Sequence, residues 1–111
     1  MTNRYESYVT ALRESVLRGR GDTPPALRET VESRAAALAG AVRTEGMLPR
    51  ELLPFVDTVA THAYRVTDDD VEALKRAGYS EDAIFEITAS AALGAALGRL
   101  ERGMAALEGG R

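Results

Sequence analysis

The sequence contains no cysteine among its 111 residues. A chain without thiols forms no disulfide, offers no thiolate to zinc and has no thiol nucleophile. Tryptophan is absent too, and the aromatic residues are four tyrosines and two phenylalanines, so alanine and leucine have to fill most of a core. Such a composition favours closely packed helices and excludes thiol-based redox chemistry.

The sequence has neither an excess of positive charge nor a long apolar run. The formal net charge is −3, and the charges are interspersed, so the sequence has no basic surface of the kind that binds nucleic acid. No uninterrupted apolar run approaches the length of a membrane span, and the start, "MTNRYESYVTALRES", has no signal-peptide region. No glycine-rich loop follows a strand to hold a nucleotide. We expect a soluble cytoplasmic protein with no cofactor, nucleic-acid or membrane partner.

Apolar residues at three- and four-residue steps predict helices from the first residues onward, and no segment alternates as a strand would. A first helix is predicted over 3–18 and ends at "RGRGD", where glycines favour a turn. Thr23 is predicted to cap a second helix that begins with two prolines and carries an apolar stripe to Val42. Residues 1–46 therefore read as a helical pair.

The second half of the sequence predicts three more helices. Prolines bound a turn or short helix at 49–53, and a further helix follows from Pro54 with His62 on its apolar face. Thr67 and the acids after it form a capping box, and Gly78 is a left-handed helix end. Ser80 caps the longest helix, and the expected segments are a single all-α domain 1–111, the last helix 81–107 and a frayed tail 108–111.

The last helix carries small residues on one stripe. Glycine inside a helix costs about 1 kcal/mol relative to alanine, so two glycines four residues apart need a packing reason. Close approach of another helix is that reason, and either an intramolecular crossing or a homo-oligomer interface would supply it. A second apolar row leaves this helix apolar over much of its circumference, which favours self-association. The stripe consists of Ile87, Ala91, Gly94, Ala95 and Gly98.

The segment "ALKRAGYSEDAIFEITASAALGAALGRLERGMAAL", residues 73–107, resembles the carboxymuconolactone decarboxylase and AhpD-like alkylhydroperoxidase family. The similar features are Ala-Gly at 77–78, the capped acidic start at 80–82, and Arg99-Leu100 near the helix end. The looser match covers 54–107. The resemblance implies an AhpD-like helical bundle with a long C-terminal helix that assembles as homo-trimers or hexamers.

The family's redox motif is missing. Counting back from Gly78 without gaps, the positions of its glutamate, two cysteines and histidine fall on Ala60, Ala63, Val66 and Asp70. Thiol peroxidase activity requires a thiolate, so this chain cannot perform that reaction alone. The resemblance therefore implies a cysteine-free member with a non-redox role, such as binding a small ligand or a protein partner.

An acid/base enzyme is the alternative, because the family also contains cysteine-free decarboxylases. His62 could act as general base or acid, Glu86 as a positioned carboxylate and Arg99 as a clamp for a small carboxylated substrate. His62 and Arg99 also have structural interpretations: His62 as a packed or hydrogen-bonded residue, and Arg99 as an intersubunit or intrahelical salt-bridge partner. A third hypothesis is a subunit that completes the site of a cysteine-bearing homologue.

A metal site is not expected from this sequence. One histidine and scattered carboxylates give no ligand spacing, and the run Asp68–Asp70 suits the first turn of a helix, where the dipole favours negative charge. The histidine and the acids of "THAYRVTDDDV" are thus more simply explained by a helix junction than by catalysis.

Overall fold

The computed structural model describes residues 5–44 and 46–109, and this part of the chain is all-α, without strands. The start of the first predicted helix, Asn3, and the last two residues of the predicted tail lie outside the described residues. The helices are α1 (Glu6–Arg18), α2 (Pro25–Leu38), α3 (Leu53–His62), α4 (Asp68–Arg76) and α5 (Glu81–Leu107), with single 3₁₀ turns at Arg50–Leu52 and Ala63–Arg65.

The ends of α2 differ from the prediction. Pro24, and not Thr23, is the N-cap residue, and no side chain caps this helix. The Thr23 hydroxyl donates to Glu86 at 2.6 Å. The helix stops at Leu38, where Gly40 takes a φ of 108° and the Ala41 N–H closes the end on the Ala36 carbonyl at 3.0 Å. Val42 is therefore outside the helix, 95 % exposed, and its predicted place on the apolar stripe is wrong.

Helix α3 buries its early apolar residues but not its end. Phe55 and Val59 lie in the core. At His62 the backbone leaves the helical region, with φ −150° and ψ 59°, and the 3₁₀ turn that follows is exposed. The predicted position of His62 on the buried face of α3 is wrong, because the helix ends at this residue and its side chain is exposed.

The predicted boundaries of α4 and α5 are confirmed. Thr67 accepts the Asp70 N–H while Asp70 accepts the Thr67 N–H, which completes the capping box. Gly78 has a φ of 104°, and the Tyr79 N–H bonds back to the Leu74 carbonyl at 3.1 Å. The Ser80 hydroxyl accepts the Ala83 N–H, and α5 spans the predicted residues.

Helices α2 and α5 form the centre of the fold and run in the same direction, since Gly94 faces Glu32 and Gly98 faces Ala36. Helix α1 runs against α2 and covers α5 through a separate small cluster around Leu17. Helix α3 packs on the other side of the central pair. The main core consists of Val31, Ala35, Leu52, Phe55, Val56, Val59, Ala60, Leu74, Ile84, Ile87, Ala91 and Ala95.

By length and composition, α5 could cross a membrane, although it contains no long uninterrupted apolar run. Its most apolar 18-residue window has a mean hydropathy of 1.3. However, 56 % of that window is buried inside the fold, as in the core helix of a soluble protein. The apolar character of α5 is therefore explained largely by its central position.

Candidate functional site

His62, the first of the three candidate catalytic residues, is exposed at the end of α3. Its Nδ1 lies 3.0 Å from the Thr61 hydroxyl, and its ring meets Tyr64 edge-on with 5.9 Å between ring centres. Among residues 5–44 and 46–109, no carboxylate or arginine forms a hydrogen bond with it. This position is neither a packed core site nor a cavity with a positioned acid.

Arg99 lies near the same end of α3. Its Nη2 donates to the Ala60 carbonyl at 3.1 Å. A cation at the carbonyl end of a helix satisfies a terminal acceptor and opposes the negative end of the dipole. Arg99 thus joins α5 to α3, and it forms no intrahelical salt bridge among the described residues.

Glu86 is engaged elsewhere, by the loop between α1 and α2. Its carboxylate accepts the N–H groups of Asp22 and Thr23, both at 2.8 Å, and the Thr23 hydroxyl at 2.6 Å. Burial alone raises the pKa of Glu86, but these hydrogen bonds and the nearby charge of Arg28 outweigh it, so the pKa lies below its ordinary value. An ionised carboxylate with its acceptors in use suits loop anchoring better than proton transfer.

The structure does not assemble the predicted catalytic group. Arg99 and His62 lie at one end of α3, whereas Glu86 lies thirteen residues before Arg99, about 20 Å along the helix at 1.5 Å per residue. The acid/base hypothesis therefore keeps two of its three residues in one region and loses its carboxylate.

The small-residue stripe of α5 packs against α2 within the same chain. All five of its residues are buried, and an added Cβ at Gly98 would lie 2.5 Å from the Ala36 carbonyl oxygen and 2.8 Å from the Ala39 Cβ. The corresponding atom at Gly94 would overlap the Glu32 carbonyl oxygen. Of the two explanations left open by the sequence, this geometry matches the intramolecular crossing.

The opposite side of α5 is apolar and, apart from the half-buried Ala89, exposed in the described chain. We call it the outer face and define it by Phe85, Ala89, Ala92, Ala96 and Leu100, which the helical period places on one side. Phe85 is 71 % exposed and Leu100 48 % exposed. Exposed apolar residues in a continuous row on one helix are typical of an interaction surface.

A buried carboxylate that the sequence did not reveal lies at the centre of the fold. Glu32 is fully buried and pairs with Arg13 at 3.3 Å and with Arg43 at 3.2 Å. Arg43 also binds Glu101 at 2.6 Å, which raises the pKa of Arg43 despite its burial and lowers that of Glu101. The network joins α1, α2 and α5, and its carboxylates are neutralised by arginine, so it is structural.

The described residues do not form a metal site. The described residues contain no group of three or more histidine or acidic side chains that could hold a metal ion. Asp70 serves the capping box of α4, as expected for that acidic run.

No family model matches the chain, and neither a curated protein nor a solved structure is significantly similar to it.

Proposed function

We propose that the protein is a non-redox interaction module that assembles with copies of itself through the outer face of α5. The observation that carries this proposal is the exposure of Phe85 and Leu100 on a helix whose other side is already buried against α2. Removing such side chains from water is favourable by about 25 cal/mol per Å² of apolar surface. A second copy supplies the same surface, which is how two-fold contacts form.

The sequence of α5 favours an antiparallel pair. Its first turn is acidic, with Glu81 and Asp82, and its later part carries Arg99 and Arg102. An antiparallel arrangement places the acidic end of one α5 near the basic part of the other and opposes the two helix dipoles. Phe85 would then pack against small residues of the partner, Ala92 and Ala96. A two-fold contact of this kind can form a dimer, and it can also be part of a hexamer such as the family resemblance implies.

We also propose that the chain is a cysteine-free relative of the AhpD-like family and acts in the cytoplasm. The support is the order of features along the chain: the glycine end at Gly78, the cap at Ser80 and the long helix after it. Because the chain has no thiol, a peroxide-consumption assay with a dithiol reductant should give the rate measured without protein. A clearly faster rate would contradict the non-redox assignment.

Self-association is tested by measuring molar mass in solution by light scattering during size-exclusion chromatography. Wild type should elute as an oligomer, and Ala92→Glu should elute as a monomer, since it places a charge in the centre of the outer face. Ala73→Glu makes the same chemical change at an exposed position of α4 and should leave the oligomer intact. A monomeric wild type, or equal behaviour of the two variants, would overturn the proposal, as would protein that dissolves only with detergent.

A further inference from the structure

Helix α1 packs on the rest of the fold through only part of its apolar side. Leu17 is buried, and Val9 and Val16 are partly buried against α5. Three further residues, at steps of three and four, remain between 49 % and 72 % exposed. We call them the α1 row, which consists of Tyr5, Tyr8 and Leu12. The described residues therefore leave a line of large apolar and aromatic side chains in contact with water.

The α1 row lies on the side of α1 that is turned away from α2. Arg13 marks the side toward α2, because it pairs with Glu32 of that helix. The helical period of 3.6 residues places Val9 and Val16 next to it, where they meet α5. Leu12 follows beyond them, and the rest of the row continues in the same direction. The row therefore borders the contact between α1 and α5.

The outer face of α5 borders the same contact from the same side. On α5, Gly94 faces α2, while Leu93 and Leu97 pack with α1. The helical period then places Leu100 and Ala96 beyond them, again on the side away from α2. The two exposed rows thus adjoin along the line where α1 and α5 touch.

By itself, the outer face of α5 is small for an interface that holds two copies together. Three of its five residues are alanines, whereas a stable interface covers about 800 Å² on each partner and draws on about 20–30 residues. A buried aromatic residue covers about 150–250 Å², so Tyr8 at 72 % exposure offers roughly 100–180 Å² more. The α1 row therefore supplies area that the outer face lacks, and it does so with tyrosine, which is enriched at interfaces.

We propose that the α1 row and the outer face of α5 form one continuous surface, and that a second copy of the chain covers both parts. This inference rests on the proposed self-association and adds α1 to its interface. A second copy fits because a two-fold contact pairs the surface with an identical one, equal in extent and equally apolar. The α1 row contains no charged residue that such a contact would have to bury.

Sedimentation equilibrium tests the role of α1 by measuring the dissociation constant of the assembly. Tyr8→Glu places a charge on the α1 row and should raise this constant about a hundredfold, tenfold for each of two copies. Tyr8→Phe keeps the ring and should associate as wild type. Ser7→Glu adds the same charge at the neighbouring exposed position, which the helical period turns away from the row, and it should also associate as wild type.

A second variant removes any dependence on how the charged one folds. Tyr8→Ala shortens the side chain and favours the helix, and it should weaken association about tenfold. Circular dichroism at a concentration where the copies are separate should give the same helix content for wild type and for all variants, because Tyr8 is 72 % exposed and lies outside the core.

Comparison with Ala92→Glu separates this inference from the proposed function. If Ala92→Glu separates the copies while Tyr8→Glu and Tyr8→Ala associate as wild type, α1 lies outside the interface and the contact through α5 stands. If the variants at Tyr8 separate the copies and Ala92→Glu does not, the two rows are not one surface. Equal weakening by Tyr8→Glu and Ser7→Glu would show an effect of net charge alone. A monomeric wild type would overturn both the inference and the proposed self-association.

Discussion

At the scale of single residues, two glycines explain why α2 and α5 can lie so close together. Gly94 and Gly98 meet the backbone of α2, where any side chain would overlap a carbonyl oxygen. The cost of glycine in a helix, about 1 kcal/mol, is offset by the backbone contact that it permits. Gly103 lies in the same helix with nothing within 4 Å of an added Cβ, so it has no such role.

Gly98→Ala should therefore lower the free energy of unfolding by about 1–3 kcal/mol, because overpacking outweighs the gain in helix propensity. Gly103→Ala is the matched control and should raise stability by up to about 1 kcal/mol. Urea denaturation of both variants beside wild type measures the difference. If the two substitutions stabilised the protein equally, the close crossing of α2 and α5 would be wrong.

Glu86 links the acid stability of the protein to one loop. Its pKa is lowered in the folded state, so its contribution is present above its unfolded pKa, about 4.3, and is lost as the pH falls through its lower folded pKa. Glu86→Gln should cost about 1–2 kcal/mol at pH 7, because hydrogen bonds to a charged acceptor are replaced by weaker ones. The same variant should show a smaller loss of stability on acidification below about pH 4.5.

Thermal unfolding measured from pH 3 to pH 7 tests this dependence. Glu72→Gln, at an exposed site on α4, serves as the control and should follow the wild-type curve closely. Parallel curves for Glu86→Gln and wild type, offset or not, would show that the carboxylate does not titrate against the loop.

At the scale of helices, the sequence predicted beginnings and ends where side chains act locally. The capping box at Thr67, the glycine at Gly78 and the cap at Ser80 depend on residues within five positions, and all three are present. Thr23 was misassigned because its partner, Glu86, is 63 residues away. His62 was misplaced because periodicity carries no information on where a helix face ends.

Candidate sites were harder to predict for the same reason. Residue type indicated that His62, Glu86 and Arg99 could do acid/base chemistry, but only tertiary contacts show that Glu86 binds a loop and Arg99 a helix end. Glu32 was not identified, since a glutamate beside Val31 resembles any solvated helix position. Its burial depends on two arginines that are distant in sequence.

Helix α4 should be the first element to open, and its cap should control that opening. It buries only Leu74, so local bonds contribute much of its stability. Thr67→Ala removes one half of the capping box and should cost about 1 kcal/mol. Hydrogen exchange should speed up in α4 amides while α2 and α5 keep their protection. Uniform acceleration along the chain would instead show that α4 unfolds only with the whole protein.

Across the whole molecule, a charged network and a central helix leave the outer face of α5 uncovered. Arg13, Glu32, Arg43 and Glu101 join α1, α2 and α5 from one side. Phe85 and Leu100 face away from α2, on the outer face of α5. A domain of 111 residues buries a limited core, so covering this face by assembly would add stability that the single chain lacks.

Stability should therefore depend on protein concentration. If copies associate through the outer face, each tenfold increase in concentration should raise the wild-type Tm by about 2–5 °C, because association stabilises the folded state by mass action. Ala92→Glu should have a lower Tm that does not change with concentration, and Ala73→Glu should follow wild type. A wild-type Tm that is constant over a hundredfold range would mean that the single chain is the folding unit, and that the outer face of α5 serves another partner or none.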